Sequence, residues 1–290
     1  MALLFCRRES IVLLQNKGYL VPLDAAAMKG KTMAIIGPTA NNSAVLMGGK
    51  SDYCPEHSVS LYEGLSDFAE KSGFTVTTSP QSGADGASMI SEAELALTVQ
   101  EAYIVFLAVG GVLGHEGADR VNITLPDPQP ALIESTIAAC AAASKPLVLV
   151  LVNGEPVALD AYVDRIDVIL EAFEGGQAAG TAFAEIVFGE VSPSGVMPFT
   201  TYPADFVNQI AMDNYDMRAG PGLTYRFYKQ QPTFTFGHGE SYVSWEQKWG
   251  PASAMPAPTQ SAATLRGQGV VFPVVVANKG LPQGANYGGR

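Results

Sequence analysis

Two stretches of the 290-residue chain, AYIVFLAVGG at 102–111 and KPLVLVLVNG at 145–154, limit the fold more than any other feature. Each is a continuous apolar run closed by glycine, without the alternation of a strand that faces water on one side. A strand apolar on both faces must be covered on both faces, which is the habit of parallel sheets flanked by helices. Shorter candidates recur at 32–38 (TMAIIGP) and 167–172, and FTVTTS at 74–79 is alternating and β-branched.

The intervening segments carry helical signals. SVSLYEGLSDFAEKSG at 58–73 spaces Leu61, Leu65, Phe68 and Ala69 along one face and stops at Gly73. The segment 91–102 opens with Ser91 and Glu94 at capping-box spacing. Residues 128–144 begin at prolines and are rich in alanine, and 176–190 are similar. Strands and helices in alternation predict an α/β fold, a three-layer α/β sandwich with a largely parallel sheet.

Beyond about Gly189 turn residues and aromatics dominate, which predicts long surface structure closing the domain. A Pro/Ala/Ser stretch at 251–263 reads as a linker. The run VVFPVVVANKG at 270–280 predicts one strand and a turn, the opening of a truncated β segment, because so short a piece cannot build a sandwich.

Composition narrows the partners. Apolar residues make up 47% and charged residues 16%, ample for a core. The formal charge of −11, from 17 basic and 28 acidic residues, argues against nucleic acid or an anionic membrane and suits a neutral partner such as a sugar. No apolar run reaches the roughly 20 residues that span a bilayer, and MALLFCRRES lacks the order of a secretory signal. Cys6, Cys54 and Cys140 form no CxxC pair and His57, His115 and His238 are scattered, so no metal site is expected and at most one disulfide is possible. The sequons at Asn41 and Asn122 matter only in a secreted protein.

The main chemical candidate is Glu116, in GHEGADRVNITLP at 114–126. It follows a buried strand directly, and the carboxyl ends of such strands are where open α/β sheets place their chemistry. Gly114 and Gly117 free the backbone around it. A general acid/base is the functional reading and a solvated loop carboxylate the bland one. Asp119 and Arg120 would either touch ligand hydroxyls or hold the loop by a charge-assisted bond.

Other motifs carry less. IIGPTANNS and AVGGVLG are glycine-rich, but neither is GxGxxG opening a helix with a distal acid, and no GxxxxGK[ST] occurs. No GxSxG elbow accompanies His238 and Ser241 in FGHGES, so a turn with an exposed or packing histidine is expected. Arg226, between aromatics in TYRFY, would pack at a sheet edge or line a sugar cleft.

Several stretches taken together resemble one family. ESIVLLQNKGYLVPL, AIIGPTAN, EGADR, LVNGEPV, FGEVSPSGVMPFT and FGHGESY, between 9 and 242, resemble the C-terminal α/β-sandwich domain of family 3 glycoside hydrolases. TYPADF, MDNYDMRA and GLTYRFYKQQPTFTFGHGESY are similar to its β-xylosidase/α-arabinofuranosidase branch, and VVVANKG resembles the first strands of the fibronectin-type-III domain that follows in the family. The implied organisation is a sandwich domain at 9–249, a linker at 250–264 and the start of a truncated fibronectin-type-III-like segment at 265–290.

The resemblance implies a retaining exo-glycosidase acting on O-glycosyl bonds of xylo- or arabino-oligosaccharides, outside the cell or in the cell wall, with no cofactor and no metal. Such enzymes use two carboxylates about 5–5.5 Å apart. In the family the nucleophile is an aspartate of an N-terminal (β/α)8 barrel, and the acid/base glutamate comes from a loop of the sandwich. Glu116 matches that glutamate in E-G-x-D-R. Nothing before Glu9 could encode the barrel, so no residue is assigned as nucleophile. The chain by itself is expected to be inactive, with a barrel as its partner, in trans if need be. The alternative is a non-catalytic carbohydrate-binding or interaction module.

Overall fold

The computed structural model describes residues 8–48, 55–78, 90–114, 117, 119–251 and 272–281. They fall into two compact units, one ending at Ser241 and the other beginning at Tyr242.

The first unit is built on a six-stranded sheet. In chain order its strands are β1 (Val12–Asn16), β2 (Thr32–Ile36), β3 (Thr75–Thr77), β4 (Ile104–Gly110), β5 (Leu147–Val152) and β6 (Val168–Glu171). They lie side by side as β1-β6-β5-β4-β2-β3. All neighbours are parallel except β1, which runs antiparallel to β6 at the edge. Every residue of β4 and β5 is buried, as continuous apolar runs require.

Four helices cover the sheet: α1 (Leu61–Ser72), α2 (Glu92–Glu101), α3 (Gln129–Ala143) and α4 (Ala179–Val187). Strand side chains alternate between faces. Val105, Leu107 and Val109 of β4 share one core with Leu95 and Val99 of α2 and Ile133 and Ile137 of α3. Phe106 points the other way and meets Phe183 of α4 edge-on, with ring centroids 6.1 Å apart. Helix layers on both faces make the three-layer sandwich expected from the sequence.

Local signals set the helix ends. Ser91 and Glu94 form the expected capping box on α2. A second box, Ser60 with Glu63, starts α1 at Leu61, so the helix begins later than the run at 58, and Gly73 closes it in the left-handed conformation. Strand β1 carries no strand assignment from the sequence. Its short VLLQN run lacks a clear period, and pairing with β6 places it, with a register shift between Leu13 and Gln15.

The chain passes from β2 outward to β3, returns to β4 in the middle, and then moves the other way through β5 and β6. Strand order therefore reverses between β2 and β4. Open α/β sheets bind ligands outside the carboxyl ends of the strands at such a reversal. The loop that carries Glu116 leaves β4 at that end.

The aromatic stretch beyond Gly189 is tied to the domain. Thr201 bridges to Phe234 and Leu13 to Glu240, and Tyr202 stacks on Phe206 with centroids 3.8 Å apart. In the second unit β7 (Trp245–Trp249) pairs antiparallel with β8 (Val274–Asn278). Strand β8 falls within the run at 270–280, whereas β7 has no strand signal of its own. No helix among the described residues is long and apolar enough to cross a membrane.

Candidate active site

Glu116 lies outside the described residues, but both flanks of its loop are described. Upstream, the end of β4 is locked. The Gly110 N–H donates to Gln129 Oε1 at 2.8 Å, and Gln129 Nε2 donates back to the Gly110 carbonyl at 2.8 Å. The Gly111 N–H reaches the Val152 carbonyl of β5 at 2.7 Å. Gly110 has φ +109°, and a Cβ there would come within 2.4 Å of the Val152 oxygen, so only glycine fits.

Downstream, Arg120 holds the chain. Its Nη1 donates to the Pro156 carbonyl at 2.8 Å and its Nη2 to the Thr124 carbonyl at 2.7 Å. Nη1 also lies 3.6 Å from Glu155 Oε2, and the Arg120 side chain is 14% exposed against 36% for Glu155. Burial lowers the guanidinium's pKa and the Glu155 charge opposes that shift. Of the two expectations for the Asp119–Arg120 pair, Arg120 takes the loop-holding part. Asp119 has no hydrogen bond or ion pair among the described residues and lines a cavity instead.

Three further carboxylates stand at the ends of β5 and β6. Glu155 lies against Gly114: a Cβ on Gly114 would be 2.4 Å from Glu155 Oε1. Glu174 presses on Gly154, where a Cβ would meet its Oε2 at 3.0 Å. Burial raises the Glu174 pKa, and the negative charge of Glu155 raises it further. Glu171 is fully buried. Its Oε1 accepts from the Phe173 N–H at 3.0 Å and its Oε2 from Asn153 Nδ2 at 3.4 Å. Burial nevertheless lifts its pKa well above the carboxylate range.

The cavity beside this loop encloses about 700 Å3, within the size range of small-molecule sites. Asp119, Arg120 and Glu155 line it together with apolar side chains such as Phe206, Ile210 and Leu223.

Gln129 and Glu171 have no role assigned from the sequence, and Asn153 and Glu155 enter there only as part of LVNGEPV. The signal that drew attention to Glu116, a polar group at the end of an apolar run, was present in LVNGE and VILE as well. Of the two expectations for His238, exposed or packing, the second holds: its Nε2 is 2.7 Å from the Leu14 carbonyl and its ring stacks on Phe234. Ser241 Oγ lies 2.9 Å from Ser192 Oγ. The Arg226 guanidinium sits 5.8 Å from the ring of its neighbour Tyr225.

Comparison with known proteins places this architecture. The model of the glycosyl hydrolase family 3 C-terminal domain matches residues 11–242. Beta-xylosidase/alpha-L-arabinofuranosidase 1 of Medicago sativa subsp. varia is 35% identical over 249 residues, covering 83% of this chain and 31% of that protein. Thermostable beta-glucosidase B of Acetivibrio thermocellus is 32% identical, covering 82% of this chain and 32% of the other. Among solved structures, a GH3 exo-beta-xylosidase in complex with a xylobiose aziridine activity-based probe superposes with a TM-score of 0.71 at 28% identity, covering 84% of this chain and 31% of that one. The chain thus spans about a third of the length of these relatives. With its six-stranded sheet and its matched motifs, the chain belongs to glycoside hydrolase family 3, as a C-terminal sandwich domain of that family.

Proposed function

We propose that the domain supplies the acid/base loop of a β-xylosidase-like retaining exo-glycosidase, with Glu116 as the proton donor to the leaving oxygen. The observation that carries this reading is the anchoring of the loop. It leaves the central strand at the strand-order reversal, with Gln129 fixing its start and Arg120 its far end. A short loop held at both ends can present one carboxylate to a partner domain with little loss of conformational entropy on binding. The opposing aspartate nucleophile would come from a (β/α)8 barrel, and the substrate would be a xylo- or arabino-oligosaccharide outside the cell or in the cell wall. By itself the chain has half of the carboxylate pair and should not turn over.

The test joins the chain to the barrel of a xylosidase relative and measures aryl xyloside hydrolysis. Glu116→Gln should lower kcat/KM, which reports the step in which the leaving group departs, by about 10²–10⁴-fold for a poor phenolic leaving group. It should have far less effect on dinitrophenolate, which leaves without a proton. Equal loss for both, or unchanged rates, would sink the assignment, as would substantial turnover by the chain alone.

A further inference from the structure

We infer that the hairpin of the second unit is a dimerisation surface, and that its apolar face is covered by the same face of a second copy of this chain. The inference is independent of the role of Glu116.

Directly opposed residues of an antiparallel pair point to the same side of the sheet. The β7–β8 register sets Trp249 opposite Val274, Gln247 opposite Val276 and Trp245 opposite Asn278, so these side chains share one face. Phe272 extends it, with its ring centroid 6.2 Å from that of Trp249. The opposite face carries Glu246, whose carboxylate pairs with Lys248 at 2.7 Å and with Lys279 at 3.1 Å. The charged groups of the hairpin thus stand on one side, and an uncharged, aromatic surface is left on the other. Trp245, Trp249, Phe272, Val274 and Val276 are all between 49% and 68% exposed. A two-stranded sheet in water is marginal by itself, and a contiguous apolar patch of this kind marks an interaction surface.

Self-complementarity identifies the occupant. On this face both tryptophans belong to β7 and both valines to β8. A copy turned about a twofold axis parallel to the strands lays each β7 over the other β8, so that large rings meet short side chains. Trp249 then lies over Val274, and Trp245 over Asn278 beside Val276. The two Gln247 side chains approach each other across the axis, where their amides can pair donor to acceptor. The exposed aromatic and valine groups amount to roughly 500 Å2 per copy, so a pair buries about 1,000 Å2, the lower bound for a specific interface. Charge also favours this place. The chain as a whole carries −11 and repels its copies, whereas the described residues of this unit set one carboxylate, Glu246, against Lys248 and Lys279.

The experiment is sedimentation velocity of the whole chain over a dilution series from about 200 to 1 μM, with tryptophan emission read on the same samples. Trp245 and Trp249 are the two tryptophans of the chain, so the emission reports this face alone. Dimers with a dissociation constant in the micromolar range should form, and emission should move to the red on dilution as the indoles enter water. Trp249→Ser should weaken the dimer at least about tenfold, because a twofold interface loses the contact twice. Gln247→Glu sets two carboxylates against each other at the axis and should weaken it to a similar extent at neutral pH. Gln247 is exposed, so this variant tests the interface even where the serine variant loosens the hairpin. Val275→Glu, on the opposite face beside Lys248, and Met212→Ser, at an exposed position of the first unit, should leave the constant unchanged. A monomer at every concentration would overturn the inference. Its emission would then tell whether another part of the chain covers the indoles or water does. A dimer indifferent to Trp249→Ser and Gln247→Glu would overturn it as well, as would an emission shift produced in the monomer by xylobiose, which would give the face to a sugar.

Discussion

Oε2 of Glu171 lies 3.4 Å from Nδ2 of Asn153, and the two residues are 2% and 0% exposed. Among the described residues no cation offsets the carboxylate there, and the charge that acts on it is the like charge of Glu174. Burial thus shifts Glu171 toward its neutral form. Asn153 Nδ2 is shared with the Glu155 carbonyl at 2.7 Å, and its Oδ1 accepts no hydrogen bond among the described residues.

That sets a pH dependence with a definite sign. The folded pKa of Glu171 is raised, so the folded state binds more protons than the unfolded chain above the unfolded value of about 4.3. The Glu171 contribution to stability is full below that value and falls by about 1.4 kcal/mol per pH unit above it until the folded pKa is reached. Glu174 adds to the slope in the same sense. In Glu171→Gln the Glu171 share disappears. Melting temperatures of the two proteins should agree near pH 4 and diverge toward pH 8, the variant being the more stable. Parallel curves would show that Glu171 ionises normally in the fold.

Arg120 should matter for order in the loop more than for the global fold. Arg120→Lys keeps a charge but cannot span the Pro156 and Thr124 carbonyls with one planar fork. Hydrogen exchange at 120–124 and 156–158 should accelerate, with a global cost of about 2 kcal/mol. Asp119→Asn, lacking such partners, should change neither.

Helices α1 and α4 touch through two glycines. A Cβ on Gly64 would lie 2.1 Å from the Gly180 carbonyl oxygen, and one on Gly180 would lie 1.9 Å from the Ser60 oxygen. Both obstacles are backbone, so relief requires the helices to separate. Each alanine substitution should therefore destabilise by about 1–3 kcal/mol or more, despite the better helix propensity of alanine. Urea denaturation measures it, and a neutral result would mean that the helix pair is not packed this closely.

Cys140 should be inert in the folded protein. Burial, with Asp167 adding to it, lifts its thiol pKa to about 12, so thiolate is scarce at pH 8. Alkylation followed by peptide mass analysis should find Cys140 unmodified in buffer and modified in urea. Rapid native labelling would contradict its place on the buried face of α3.

The local chemistry of the chain determined its layers. Short uninterrupted apolar runs closed by glycine read as strands covered on both faces, and Ser91 with Glu94 marks a helix start, because each signal is complete within a few residues. The position of Glu116 after a buried strand was legible for the same reason, as were the ordered motifs that mark the family. Tertiary structure alone decided which residues meet. Edge strand β1 is defined by pairing with β6 about 155 residues away. Arg120 and not Asp119 grips the loop because β5 runs beside β4 and brings the Pro156 carbonyl and the Glu155 carboxylate to it. Glu171 became a buried acid because β6 ends beside Asn153. Such contacts join strand ends tens of residues apart, and no local pattern specifies them before the sheet is assembled.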